Sequence, residues 1–294
     1  MQTIPLAQLT AAIRCASTVT GPASEFAAFF AASFQREPSK PYLTSYDDAT
    51  GERVELSYAT FANWVWKTAN YLRDGLDVQP GDEIAVLLRP HWQTIAIWYA
   101  AWTVGAVVTL PDPGGLPTGT PVAVFAQEHA LAGLLAAGTP AAALIGLSLR
   151  PMAARLSAAP AGVTDYATEV PGYADFFSPM GATPRSALAL PGRSAGDVLA
   201  GAEAAATELG LTGSDRVLCP VELVDADVLI GLVLAACCAG AGVVLTHAAV
   251  AQSWWRRASD ERVSIAVTSK ELPLDASNVP TTLRLLIRPA ALVT

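Results

Sequence analysis

Pro80-Gly81-Asp82-Glu83-Ile84-Ala85-Val86-Leu87-Leu88 is a tight turn followed by a short apolar run, and Gly75-Leu76 comes just before it. A Pro-Gly-Asp turn leading into such a run reads as entry into a buried strand. The arrangement returns as Gly210-Leu211 followed by Gly213-Ser214-Asp215-Arg216-Val217-Leu218. Each copy is preceded by a helical stretch and followed by a helix that ends in a Gly-led apolar run. Those runs are Gly105-Ala106-Val107-Val108 and Gly240-Ala241-Gly242-Val243-Val244. Two copies of one strand-helix-strand plan imply an α/β chain with two similar layered sub-domains.

Outward from the first copy, residues 53–57 read as a strand and 58–74 as a helix with Phe61, Val65, Ala69 and Leu72 on one face. Residues 83–88 read as a strand, 93–104 as a helix and 106–110 as a strand. A further strand-helix-strand follows at 122–125, 128–136 and 142–147. The Pro- and Ala-rich stretch 151–171 reads as a connector. The longest apolar run, 228–245, is interrupted by Gly231, Gly240 and Gly242 and reads as a buried helix followed by a buried strand rather than a membrane span.

The chain has 294 residues, 52% apolar and 15% charged, enough to bury a large core. Its net charge of -8 and pI near 4.9 exclude nucleic acid and anionic membrane as partners, because no basic face is available to release counterions. Mean hydropathy is +0.38, much of it from alanine. The start, Met1-Gln2-Thr3-Ile4-Pro5, lacks the basic and apolar regions of a signal peptide, so a cytoplasmic location is expected. Cys15, Cys219, Cys237 and Cys238 show neither a disulfide framework nor a zinc spacing. Lysine is limited to Lys40, Lys67 and Lys270.

Leu56-Ser57-Tyr58, Ala69-Asn70-Tyr71-Leu72, Pro80-Gly81-Asp82, Leu87-Leu88-Arg89-Pro90 and Gly105-Ala106-Val107-Val108 occur in an order that resembles the first sub-domain of the adenylate-forming enzymes. That superfamily contains the acyl-CoA synthetases, adenylation domains and luciferases. Residues 185–247 resemble the part just after the family's phosphate loop. The resemblance covers about residues 41–245 and implies the fold of the N-terminal domain of these enzymes. It is carried by scaffold motifs, which speak to fold and not to activity.

The resemblance places the family's phosphate-gripping loop at Phe177-Ser178-Pro179-Met180-Gly181-Ala182-Thr183-Pro184-Arg185-Ser186. In the family this loop is rich in Ser, Thr and Gly and ends in Pro-Lys-Gly. Glycines let backbone N–H groups approach phosphate, hydroxyls add donors and the lysine adds charge. Here Pro179 has no N–H, and Met180 and Ala182 put apolar groups where hydroxyls would be. Ser178, Gly181, Thr183 and Arg185 keep phosphate-binding character, and a guanidinium can grip a phosphate at two points. ATP or AMP is therefore the cofactor to consider at a degenerate loop. The resemblance also implies an aromatic-Gly-x-Thr-Glu segment, a Thr-Gly-Asp segment and a C-terminal domain with a catalytic lysine. None of these occurs in the 294 residues. The chain is thus identified as a truncated, degenerate relative covering the N-terminal portion. The expected boundaries are 1–150 for the first sub-domain with an N-terminal helical segment, 151–185 for connector and loop, and 186–294 for the second sub-domain.

Other constellations are weaker. His91, His129 and His247 share no metal spacing and suit surface or capping roles. Glu222, Asp225 and Asp227 fit a helix start, where carboxylates offset the dipole, better than a metal site. Asp112-Pro113-Gly114-Gly115 reads as a turn. Trp98 and Trp102, four apart, share a helix face. Adjacent Trp254 and Trp255 in a helix cannot both face the same core, so one of them is expected at the surface. Trp254, Trp255, Arg256 and Arg257 are therefore expected to include a protein-partner or homo-oligomer surface.

No catalytic or metal-ligating residue is assigned. The expected function is that of a catalytically inactive acyl-CoA synthetase-like protein acting as a binding or regulatory subunit. One alternative is an enzyme component that binds a nucleotide or acyl-phosphate and completes its site with another chain. A structural scaffold that oligomerises is the other.

Overall fold

The computed structural model describes residues 1–14, 26–110, 119–138, 141–181, 183–220, 225–247, 251–268 and 279–288. Two compact units divide the chain discontinuously. The first takes Met1–Thr20, Ser33–Tyr58 and Asp197–Thr294, and the second takes Gly21–Ala32 and Ala59–Gly196.

The first unit carries a seven-stranded sheet. Its strands are β1 (Gln2–Pro5), β2 (Pro41–Asp47), β3 (Glu52–Ser57), β11 (Arg216–Pro220), β12 (Gly242–His247), β13 (Ile265–Val267) and β14 (Leu285–Arg288), in the order β1-β14-β13-β11-β12-β2-β3. All neighbours are parallel except the β2–β3 hairpin. Helix α8 (Ala226–Ala239) links β11 to β12 and packs on β12, while α1 (Leu6–Arg14) packs on α8. Asp225 caps α8 by accepting from the Val228 amide at 2.8 Å, and Gly240 ends it in a left-handed conformation at φ 70°. Between the caps, residues 228–237 of α8 are all buried, as a helix apolar on every side requires. The run 228–245 is thus a buried helix and a buried strand. Among the described residues no helix is long and apolar enough to cross a membrane.

The second unit carries a five-stranded, wholly parallel sheet. Its strands are β4 (Glu83–Leu87), β5 (Val107–Thr109), β6 (Ala123–Gln127), β7 (Ala143–Leu147) and β8 (Val163–Asp165), in the order β5-β4-β6-β7-β8. A small hairpin, β9 (Leu188–Leu190) with β10 (Arg193–Ser194), follows. Helix α3 (Tyr58–Asn70) continues through a wider π turn, Tyr71–Gly75. Its Phe61, Val65, Ala69 and Leu72 are fully buried, as the spacing implies. Helix α4 (Trp92–Thr103) packs on β4 and β5 and is buried throughout. Helices α5 (Leu131–Ala136) and α6 (Tyr166–Glu169) are shorter. Helices α2 (Phe26–Arg36) and α7 (Ala195–Glu208) each contribute residues to both units.

The repeated Gly-Asp motif builds the same turn twice. The Asp82 carboxylate accepts from the Gln79 amide at 2.7 Å, and the Asp82 carbonyl accepts from Val107 at 2.8 Å. The Asp215 carboxylate accepts from the Thr212 amide at 2.8 Å, and its carbonyl accepts from Gly242 at 2.9 Å. Each aspartate therefore closes its own turn and ties it to the start of the neighbouring parallel strand.

Two sequence expectations differ from the structure. Residues 1–150 do not form one sub-domain, because β1 pairs with β14 and β2 with β12, for example Leu43 with Val243. Apolar patterning marks a strand but not its partner, and sheet neighbours distant in sequence leave no local signal. The stretch 151–171 is also more than a connector. It contains β8, which completes the five-stranded sheet, and α6, whose Tyr166 is fully buried. Strand β8 spans three half-buried residues, too few for an alternation pattern to show.

Candidate functional site

The segment leading into the expected phosphate loop lies along α3 and its π turn. Lys67, Asn70 and Arg73 are spaced three apart and so share one helix face. The Lys67 ammonium donates to the carbonyls of Pro171 (2.9 Å) and Tyr173 (2.5 Å). The Asn70 amide donates to Ala174 (2.9 Å) and Phe176 (2.7 Å), and Arg73 Nη1 donates to Ser178 (2.9 Å). Five carbonyls of the incoming segment are thereby engaged by three side chains.

Arg73 is the centre of this arrangement. Its Nε and Nη2 hold the two oxygens of Asp74 at 2.6 and 2.9 Å, and Nη2 also reaches Asn70 Oδ1 at 2.8 Å. The Asp74 bond raises the Arg73 pKa, and the same bond lowers that of Asp74. The guanidinium carbon lies 4.8 Å from the centre of the Phe177 ring, a cation–π contact, and Trp66 stacks on that ring with centroids 6.3 Å apart. Between this loop, the turn at Val78 and Pro80, and the end of α4 at Thr103 and Val104 is a cleft of about 260 Å³.

The four expected phosphate-binding residues have different surroundings. Ser178 and Gly181 are exposed, and a Cβ on Gly181 would meet nothing within 4 Å, so no close approach demands glycine there. Thr183 is half-buried, its hydroxyl 2.9 Å from where a Cβ on Gly105 would stand. Arg185 lies beside the first turn of α7, its Nε 3.4 Å from a Cβ built on Gly196. The amides of Ala195 and Gly196, which open α7, donate to the carbonyls of Ala187 and Arg185 at 2.8 Å each. Those two donors are accordingly unavailable to an anion. Gly181 and Thr183 line the cleft, and Met180 is 85% exposed at its rim. Ala182 lies outside the described residues.

The tryptophan pair is a correction. Trp254 and Trp255 are both buried, at 0% and 4% exposure, in a core cluster with Leu218, Val244, Ala258, Val263, Ala266, Leu283 and Leu286. Their rings meet edge to face with centroids 4.4 Å apart. Helix α9 (Ala251–Asp260) buries Arg257 and Ala258 as well, and at 100° per residue these four positions subtend about 160°. An arc that wide takes two consecutive rings, so the expected partner surface is instead core. Arg257 is 8% exposed; it pairs with Asp48, donates to Thr246 Oγ1 at 2.7 Å and lies over the Tyr46 ring. Arg256 alone of the four is exposed.

His91 caps α4, its Nδ1 accepting from the Gln93 amide at 3.3 Å. His129 is exposed and His247 half-buried. Asp225 and Asp227 open α8 and both pair with Arg14. Trp98 and Trp102 are buried on α4, and Trp102 Nε1 donates to the Ala189 carbonyl at 2.9 Å. Among the described residues no group of three His, Cys, Asp or Glu could hold a metal ion. Cys15, residues 112–115, Glu222 and Lys270 lie outside the described residues.

The chain is 36% identical over 247 residues to a TIGR03089 family protein of Mycobacterium tuberculosis, a match that takes in 84% of this chain and 99% of that relative. The chain belongs to the TIGR03089 family, within the AMP-binding superfamily. The AMP-binding enzyme family profile matches residues 30–157, a span that ends before the loop at 177–186. Among solved structures, the N-terminal domain of FACL13 from Mycobacterium tuberculosis superposes with a TM-score of 0.70 at 16% identity, covering 91% of this chain and 70% of that one. Acetoacetyl-CoA synthetase from Streptomyces lividans gives 0.73 at 17% identity, over 93% of this chain and 48% of that one. At such identities the likeness is one of fold. This TIGR03089 family member thus has the α/β architecture of acyl-CoA synthetase N-terminal domains and spans about half the length of the whole synthetase it matches.

The polar face formed by Lys67, Asn70 and Arg73 was not singled out from sequence. Its signal is present, three polar residues three apart on a helix otherwise dominated by apolar side chains. What they hold lies about 105 residues away and cannot be read locally.

Proposed function

We propose that this chain is a catalytically silent acyl-CoA synthetase-like protein that works as a binding or regulatory subunit. The observation that supports this reading is the state of the loop. The carbonyls leading into it are tied to Lys67, Asn70 and Arg73, and two opening amides of α7 are engaged by Ala187 and Arg185. Adenylation must neutralise charge growing on the α-phosphate with donors placed in advance, and this loop presents Pro179 and Met180 in their place. Exposed Phe176 (69%) and Met180 (85%) suit contact with a protein partner or a second copy of the chain. The test is carboxylate-dependent exchange between ATP and pyrophosphate by the purified chain. No exchange is expected with a panel of short, long and aromatic acids. Robust exchange that disappears on mutating a residue of this chain overturns the reading.

A second reading, a component that binds a nucleotide or acyl-phosphate and completes its site with another chain, draws on Arg185 beside the N-terminal turn of α7. In that case Arg185→Ala weakens ATP or AMP binding by about 1.5–3 kcal/mol, the range for hydrogen bonds to a charged group. An unchanged dissociation constant removes Arg185 from any such site.

A further inference from the structure

We propose that residues 173–181 form a latch, held shut by Lys67, Asn70 and Arg73, whose release opens the cleft beside Phe177. This holds whether or not the chain binds a phosphate. Three features carry it. First, closure rests on polar ties more than on packing. The ties run from helix side chains to strap carbonyls, while Phe176, Pro179 and Met180 are exposed and bury little apolar area. Segments with few buried apolar contacts open at a small fraction of the global unfolding free energy.

Second, the cleft has one fixed wall and one that belongs to the strap. Val78, Pro80, Thr103 and Val104 stand on the turn before β4 and on the end of α4, whereas Phe177 and Met180 come from the strap. Arg73 serves as the catch, because the same guanidinium holds the Ser178 carbonyl and the face of the Phe177 ring. Third, the far end is pinned where Thr183 packs on Gly105, so release at Arg73 swings residues 173–181 about that contact. Gly75 admits the near end: a Cβ there would lie 2.4 Å from the Tyr173 hydroxyl.

The test is limited chymotrypsin digestion of the full chain, with fragments identified by mass, alongside hydrogen exchange. In wild type, cleavage after Phe176 and Phe177 is expected to be slow despite the exposure of Phe176. Arg73→Ala should speed it about tenfold, since brief openings are cut in proportion to their population and a charge-assisted tie has been lost. Arg73→Lys should fall between, because an ammonium can hold Ser178 but cannot also grip Asp74 in parallel. Exchange across 173–181 should rise, while the Val78 and Val104 amides, bonded to the Leu72 and Ala100 carbonyls within the fixed wall, should exchange as in wild type. Lys67→Ala carries the same test if the Arg73 variant does not fold. The latch is overturned if folded variants are cut no faster at these bonds, if cutting accelerates equally along the whole chain, or if exchange across 173–181 stays put.

Discussion

Asp215 and Arg284 form a two-point ion pair, Nε to Oδ1 and Nη2 to Oδ2, each at 3.0 Å. The pair joins the turn before β11 to the residue that precedes β14, and Arg284 also donates to the Gly210 carbonyl at 2.8 Å. Ser264, just before β13, donates to the same carboxylate at 2.6 Å. One aspartate thus aligns the starts of three parallel strands. Burial opposes its charged form, but the bonds from Arg284, Ser264 and Thr212 prevail and bring its pKa from 3.8 down to about 2.

A value depressed in the folded state contributes stability that is complete above the unfolded value and is lost as pH falls toward 2. Asp215→Asn is therefore expected to cost about 1.5–3 kcal/mol at pH 7. In urea denaturation the gap between variant and wild type should narrow as pH drops from about 4 toward 2. A gap of equal size at neutral and acid pH would contradict this account.

Trp254 and Trp255 can be tested as core residues. Replacing either with alanine should cost about 3–5 kcal/mol, measured by chemical denaturation, with no change in the oligomeric mass of the folded fraction. A change of mass with stability intact would return the pair to a surface.

Gly231 lies within α8, where alanine is ordinarily favoured by about 1 kcal/mol. A Cβ there would meet Ile13 of α1 at 2.5 Å. Gly231→Ala should therefore destabilise by about 1–3 kcal/mol, and the penalty should shrink in an Ile13→Ala background, giving a clear coupling in a double-mutant cycle. Strict additivity would show that α1 does not rest on Gly231.

The described thiols should be inert in the native state. Cys219 and Cys237 are fully buried; burial pushes the Cys237 thiol up, and burial likewise pushes that of half-buried Cys238 up to about 12. At pH 8 each should react with a disulfide reagent far more slowly than a free cysteine, with labelling recovered on unfolding. Peptide mapping after brief labelling checks this, and rapid native labelling of Cys238 would refute it.

The sequence by itself determined the local grammar of this protein. Gly-Asp turns, apolar runs and the buried face of α3 are written in residues that lie within a turn or two of each other, so the second unit's β4, α4 and β5 and the first unit's β11, α8 and β12 were legible. The family resemblance was legible for the same reason, since it is carried by those scaffold segments. Tertiary structure decided the rest. Strand β2 joins β12 nearly 200 residues away because parallel pairing satisfies backbone groups irrespective of sequence distance. Trp254 and Trp255 both enter the core because α9 is covered over an arc wider than a typical amphipathic stripe, a property of what surrounds the helix and not of the helix. The loop at 177–186 looked wanting from its side chains alone. The backbone leading into it, residues 171–178, is held by Lys67, Asn70 and Arg73 because the fold brings that helix face and those carbonyls within hydrogen-bond reach, a meeting that no window of the sequence contains.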